Sequence, residues 1–274
     1  MAVSMADIQN LRKRTGAGMM DCKNALTEAD GDFEKAIEII RKKGQAFAAK
    51  RGDRDASEGC VLAATKGEFA ALVALKCETD FVAINADFVG LTKDILEAAL
   101  NNKVKSLDEL NNTMINGHKV ADLVTDRMGI TGEKMEIGAY EYIQAPSVFA
   151  YIHPGNRLAT VVGFNKANVS EEVIKDVAMQ IAAMNPVAIT PDEVSEEVKA
   201  KELEIAKEKA RESGKPENLL DRIAEGALTK FYEEFTLLQQ DYVKNPKLTV
   251  AQFIAQHDKE LNVVEFKRFT LNAD

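Results

Sequence analysis

Between residues 58 and 77 the apolar pattern changes period, and this change constrains the fold more than any other feature. Upstream, apolar side chains recur every three or four positions. Here they run almost unbroken, as Gly59-Cys60-Val61-Leu62-Ala63-Ala64 and Phe69-Ala70-Ala71-Leu72-Val73-Ala74-Leu75, divided at Lys66-Gly67. Two such runs around a glycine turn read as a hairpin of buried strands. The chain therefore cannot be all-helical. A second round of strands followed by a helix, further on, makes it α+β.

Residues 4 to 44 predict three short helices. Ser4 with Asp7 forms a capping pair, and Ile8 and Leu11 begin an apolar stripe. Gly16-Ala17-Gly18 breaks the first helix, and Met19, Cys22, Leu26 and Ala29 mark the second. After Gly31, Asp32 can cap a third helix carrying Phe33, Ile37 and Ile40, which a basic last turn and Gly44 should end. Residues 1 to 55 hold 11 Lys and Arg against 9 Asp and Glu, a net +2, while the remainder carries −11. This asymmetry predicts a separate module over 1–45, with 46–57 as a linker.

Beyond the hairpin, Phe81, Ile84, Phe88, Leu91, Ile95 and Ala98 lie on one helical face, predicted to pack on the sheet. A helix over 120–128, strands over 134–144, 148–153 and 158–164, and a helix over 170–184 follow. Charged segments on either side of Gly214-Lys215-Pro216 predict an antiparallel helical hairpin over 190–240. A short helix (249–257) and a last strand (261–271) complete the chain. We expect two lobes, 58–133 and 134–274, each with a small antiparallel sheet and helices, the hairpin projecting from the second. Spacing leaves the hairpin open as a dimer interface or a solvated arm.

Composition removes several function classes. Forty-four acidic against 35 basic residues leave a net charge of −9, and aromatics are 6% with no Trp. Such a chain is repelled by phosphate backbones and lacks a stacking platform, so no direct nucleic-acid contact is expected. No apolar run approaches the roughly 20 residues of a membrane span, and residues 1 to 14 lack a signal-peptide stretch. Three cysteines without a CxxC pair fit a reducing, cytoplasmic setting. The three histidines, 118, 153 and 257, are isolated in sequence, and neither a GxSxG elbow nor a phosphate-binding loop occurs. Cys77 reads as a core residue rather than a nucleophile. Glu78 with Asp80 offers too few ligands for magnesium. A binding protein without cofactor, metal or enzymatic chemistry is the leading class, with a small enzyme resting on Cys77 alone as the remaining alternative.

Two strings point further. Leu11-Arg12-Lys13-Arg14-Thr15-Gly16-Ala17-Gly18-Met19-Met20-Asp21-Cys22-Lys23-Asn24-Ala25-Leu26 resembles the N-terminal signature of the bacterial elongation factor Ts family, and Cys77-Glu78-Thr79-Asp80-Phe81-Val82-Ala83 resembles its second signature. The stretch from Val177 to Pro186 is similar to a helix of the same family. The resemblance implies an N-terminal three-helix, ubiquitin-associated-like module, two sheet-bearing subdomains and a helical hairpin. It implies a guanine-nucleotide exchange factor for the GTPase elongation factor Tu. On that basis Thr79, Asp80, Phe81 and Val82 would dislodge the partner's magnesium, with Phe81 protruding although the pattern alone places it in the stripe that packs on the sheet. Arg12, Met19 and Met20 would rest on its nucleotide-binding domain, and Gln180, Ile181 and Met184 would touch it from the second lobe. The chain departs from the family in carrying Gln180 where many members have His. It also stops at Asp274, where some members add a helical module whose grip would be missing. The rival expectation is an adaptor that binds through its three-helix end without altering nucleotide affinity.

Overall fold

A computed structural model describes residues 3–50 and 52–272; Met1 and Ala2, Arg51 in the expected linker, and Ala273 and Asp274 at the chain end lie outside the described residues. Helices α1 (Met5–Thr15), α2 (Met19–Glu28) and α3 (Phe33–Lys50) form the N-terminal module around Leu11, Cys22, Ala25 and Leu26. Their starts obey local chemistry. The Ser4 hydroxyl accepts the Asp7 N–H while the Asp7 carboxylate accepts the Ser4 N–H, each at 3.1 Å. Asp32 Oδ1 accepts the Glu34 and Lys35 N–H groups at 3.0 and 3.1 Å.

Gly44 does not end α3, which runs on to Lys50, so the linker expected from residue 46 begins as helix. The reason is tertiary. Gly44 is buried against a later helix, α7 (Val120–Thr131), where a Cβ on Gly129 would stand 2.7 Å from Gly44 Cα. Glycine here permits close helix approach rather than a stop. The contact is reinforced by Arg41, whose Nε lies 3.3 Å from Asp126 Oδ2 and whose Nη2 lies 2.7 Å from His118 Nδ1.

Strands β1 (Glu58–Lys66) and β2 (Phe69–Cys77) pair antiparallel, Lys66 opposite Phe69 at the turn. Then come α4 (Asp80–Ala83), α5 (Ala86–Asn102), α6 (Leu107–Asn112), the two-residue strands β3 (Met114–Ile115) and β4 (His118–Lys119), and α7 (Val120–Thr131). Strand β5 (Glu136–Gln144) pairs with β2, giving the order β1-β2-β5. This corrects the expectation that residues 134–144 open the second lobe. β2 is buried along nearly its whole length, and its free edge needs a partner that β5 supplies. Phe88, Leu91 and Ile95 of α5 pack on this sheet with Phe69, Val73 and Leu75.

The second sheet, in the order β6-β7-β8, comprises β6 (Ser147–Ile152), β7 (Leu158–Phe164) and β8 (Val263–Thr270). It is backed by α8 (Glu171–Met184) and α11 (Val250–His257), which enclose Val162, Phe164, Ile181 and Phe253. Between the two sheets, Val61, Ala63, Leu72 and Ala74 meet Ala159 and Val161 in one apolar interface. Arg157 also pairs with Glu58, and the Val61 N–H donates to Asn156 O at 2.7 Å. Helices α9 (Glu196–Glu212) and α10 (Leu220–Phe235) form the helical hairpin, tied at its tip by Arg211 and Glu217 at 2.9 Å. Among the described residues, no helix is long and apolar enough to cross a membrane.

Candidate partner-binding site

The chain leaves β2 at Cys77 and turns directly into α4, a single helical turn from Asp80 to Ala83. Thr79 caps it: its hydroxyl accepts the Val82 N–H at 3.4 Å and donates to Glu133 Oε1 at 2.6 Å. Glu133 Oε2 accepts the N–H groups of Glu78 and Thr79 at 3.2 and 3.1 Å. In return, Glu78 Oε1 accepts the Lys134 N–H at 2.6 Å, and Arg54 Nη1 lies 2.9 Å from Glu78 Oε2. Asn85 then caps α5 by accepting the Asp87 N–H at 2.9 Å, so α4 and α5 are separate helices.

That break decides where the apolar side chains point. Ala83 is buried and Val82 packs on the sheet core, whereas Phe81 is 80% exposed and Ile84 77% exposed. The helical pattern alone is therefore wrong at the start of the stripe, whereas the protruding Phe81 expected from the family resemblance agrees with this exposure. The extra residues between the two helices rotate Phe81 and Ile84 off the face that begins at Phe88. Two large apolar side chains stand in solvent beside the Asp80 carboxylate, on a turn held by buried and half-buried contacts. Exposed apolar side chains grouped in this way are the first place to look for a binding surface.

Of the N-terminal residues, Arg12 is exposed, Met20 is 64% exposed, and Met19 is half-buried against the module's core. Adjacent positions on a helix face about 100° apart, so one methionine packs while the other projects. The third group divides differently. Met184 is exposed, but Ile181 is fully buried and Gln180 is 1% exposed. Gln180 Nε2 donates to Gln240 Oε1 and Asp241 O, each at 3.1 Å, and its Oε1 accepts the Val243 N–H at 2.9 Å. Gln180 and Ile181, expected on the partner-facing side, both face inward in the free chain, and the amide holds the 240–243 loop against α8. That loop lies 60 positions away in sequence, and helical spacing cannot show that it covers Gln180.

Nucleophilic chemistry finds no support at Cys77. The thiol is fully buried, donates to Thr79 O at 3.2 Å, and is pushed up to about 12 by burial and by the Glu133 charge. Cys60 is likewise raised to about 11 by burial, and all three cysteines are free. Among the described residues no group of three His, Cys, Asp or Glu side chains could hold a metal ion.

Sequence reasoning missed three participants. Ile84 was assigned to the core stripe. Glu133 and Arg54 carry no motif and act across 54 and 24 positions of chain.

The family model described as Elongation factor TS matches residues 78–273, beginning at the residue before the Thr79 cap. The Elongation factor Ts of Porphyromonas gingivalis is 62% identical to this chain over 275 residues, covering 100% of both. That of Azobacteroides pseudotrichonymphae is 52% identical over 274 residues, again across 100% of both. That of Bacteroides thetaiotaomicron is 49% identical over an alignment of 331 residues spanning 100% of each. With a family model over most of its length and such relatives over all of it, the chain belongs to the elongation factor Ts family.

Proposed function

We propose that this chain is a guanine-nucleotide exchange factor for elongation factor Tu, working by binding rather than by covalent chemistry. The observation that carries the proposal is the exposed Phe81 beside Asp80 on the capped turn α4. A factor that binds the nucleotide-free GTPase more tightly than the nucleotide-bound form must loosen the nucleotide by the same factor. A ten-thousandfold loosening requires about 5.5 kcal/mol of differential binding. Magnesium bridging the phosphates is among the largest local charges in a GTPase site, so disturbing its ligands is an efficient lever. In this mechanism Phe81 and Asp80 enter the partner and displace the elements that hold its magnesium. Arg12 and Met20 on the N-terminal module and Met184 on the second lobe anchor the complex elsewhere. The wedge then governs the rate of GDP release, and the anchors govern affinity.

The test is release of fluorescent GDP from elongation factor Tu with Phe81→Ala. Because Phe81 is 80% exposed, truncation should cost the fold no more than about 1 kcal/mol, against about 3–5 kcal/mol for a buried Phe. Burying the ring in the partner is worth about 1.5–3 kcal/mol, so the variant should slow release at saturating factor by roughly ten- to a hundredfold. With EDTA present, wild type and variant should converge, since the interaction they contest is already gone. Wild-type rates from Phe81→Ala would overturn the wedge. Stoichiometric binding without faster release, from the wild-type chain, would instead favour an adaptor. A wild-type advantage that persists undiminished in EDTA would move the lever to the base or ribose.

A further inference from the structure

Helix α4 has only one turn, too short to hold itself in water. The pose of Phe81 and Ile84 must therefore be set by what grips the turn from outside. One side chain does most of this. The Glu133 carboxylate takes the N–H groups of Glu78 and Thr79 on one oxygen and the Thr79 hydroxyl on the other. The grip is reciprocal, because Glu78 Oε1 accepts the N–H of Lys134, the residue after Glu133. Two adjacent backbone segments thus hold each other through carboxylates at both ends, in charge-assisted bonds that are shorter and stronger than neutral ones.

Glu133 is itself placed by α7. That helix ends at Gly132, whose φ of 74° turns the chain, and the Glu133 N–H donates to Thr131 Oγ1 at 3.2 Å. The same α7 receives α3 of the N-terminal module through Gly129 and Asp126. Glu133 therefore stands where the helix carrying the module meets the turn carrying the exposed apolar pair.

We infer that Glu133 is the positioning residue of the exchange wedge: its carboxylate presents Phe81 and Ile84 at the fixed angle that the exchange step needs, without touching the partner. The inference rests on the exchange reading above. A preorganised wedge spends none of its binding free energy on ordering itself, so losing the clamp should lower the rate at saturation more than the affinity. A residue serving only the fold would lower the active fraction and nothing else.

The experiment measures fluorescent GDP release from elongation factor Tu across concentrations of the full chain. Its variants are Glu133→Ala, Glu133→Gln, Phe81→Ala and Phe81→Ala/Glu133→Ala. Glu133→Ala should lower the saturating rate about tenfold, with the half-saturating concentration changed less than threefold. Glu133→Gln keeps a carbonyl acceptor for the paired N–H groups and should recover most of the rate. The double variant should be no slower than Phe81→Ala, because an unpositioned wedge and an absent wedge are equivalent. Should Glu133→Ala fold poorly, Thr79→Val removes the hydroxyl through which Glu133 holds the cap of α4, and should slow release at least threefold. Wild-type rates in Glu133→Ala or Thr79→Val, a loss confined to half-saturation, or full additivity with Phe81→Ala would each overturn the inference. A silent Phe81→Ala would overturn the exchange reading itself, and is distinguishable because it needs no change at Glu133.

Discussion

Replacing Gly129 with alanine should loosen the N-terminal module from the core, whereas replacing Gly44 should not. The two glycines face each other but are not equivalent. A Cβ on Gly129 would stand 2.7 Å from Gly44 Cα and 3.5 Å from Gly44 N, both backbone atoms, so only a retreat of α3 from α7 relieves it. A Cβ on Gly44 meets Thr125 O at 3.5 Å and Gly129 Cα at 3.6 Å, which is ordinary contact. Overpacking against backbone atoms, which cannot rotate away as a flexible side chain can, falls in the upper part of the usual range, about 2–3 kcal/mol. Exchanging glycine for alanine within a helix returns about 1 kcal/mol. The balance for Gly129→Ala is a loss of about 1–2 kcal/mol at the α3–α7 contact, or a five- to thirtyfold rise in the open population. For Gly44→Ala it is a gain of up to about 1 kcal/mol. Amide hydrogen exchange reads both, with β2 amides as the internal reference for the sheet core. Protection across α3 should fall five- to thirtyfold in Gly129→Ala while β2 is unchanged. Unchanged α3 protection in Gly129→Ala, or a larger loss in Gly44→Ala, would refute the reasoning.

Gln180→Met keeps the volume of a fully satisfied amide but strands the Val243 N–H and the Asp241 carbonyl, and should cost about 1–3 kcal/mol, seen as a lower urea midpoint. A midpoint within error of wild type would mean the 240–243 loop does not depend on it. The thiols of Cys77 and Cys60, raised to about 12 and about 11, should stay protonated and unlabelled by a disulfide reagent at pH 8 until urea opens the core. Both folded values lie above that of an unfolded thiol, near 8.5. Their contribution to stability is therefore complete below about pH 8.5 and is lost as pH rises toward 11–12, at about 1.4 kcal/mol per pH unit for each thiol. Rapid stoichiometric labelling of the native chain would contradict their burial.

Much of this molecule is written in signals a few residues long. The capping box at Ser4, the Lys66-Gly67 turn between β1 and β2, the continuous apolar run that becomes β7, and the Gly214 reversal between α9 and α10 all act within a handful of positions. Their physics is local, so period and capping chemistry suffice to read them. The string from Thr79 to Val82 is legible as a strand-to-helix junction, and its outward Phe81 only through the resemblance to the family's second signature. Phe81 lies in register with the α5 stripe, and the Asn85 cap between α4 and α5, together with the Glu133 grip on the Thr79 turn, sets it in solvent. Gly44 reads as a stop until Gly129 of α7 is set against it. β5 reads as part of the second lobe until β2 is seen to need an edge partner. Gln180 and Ile181 share a helix with the exposed Met184, yet the 240–243 loop and the second core enclose them. Apart from the Asn85 cap, which is local, the deciding contact joins positions far apart in the chain. A periodic pattern states that a residue has a buried side, but which surface arrives to bury it depends on how the elements pack.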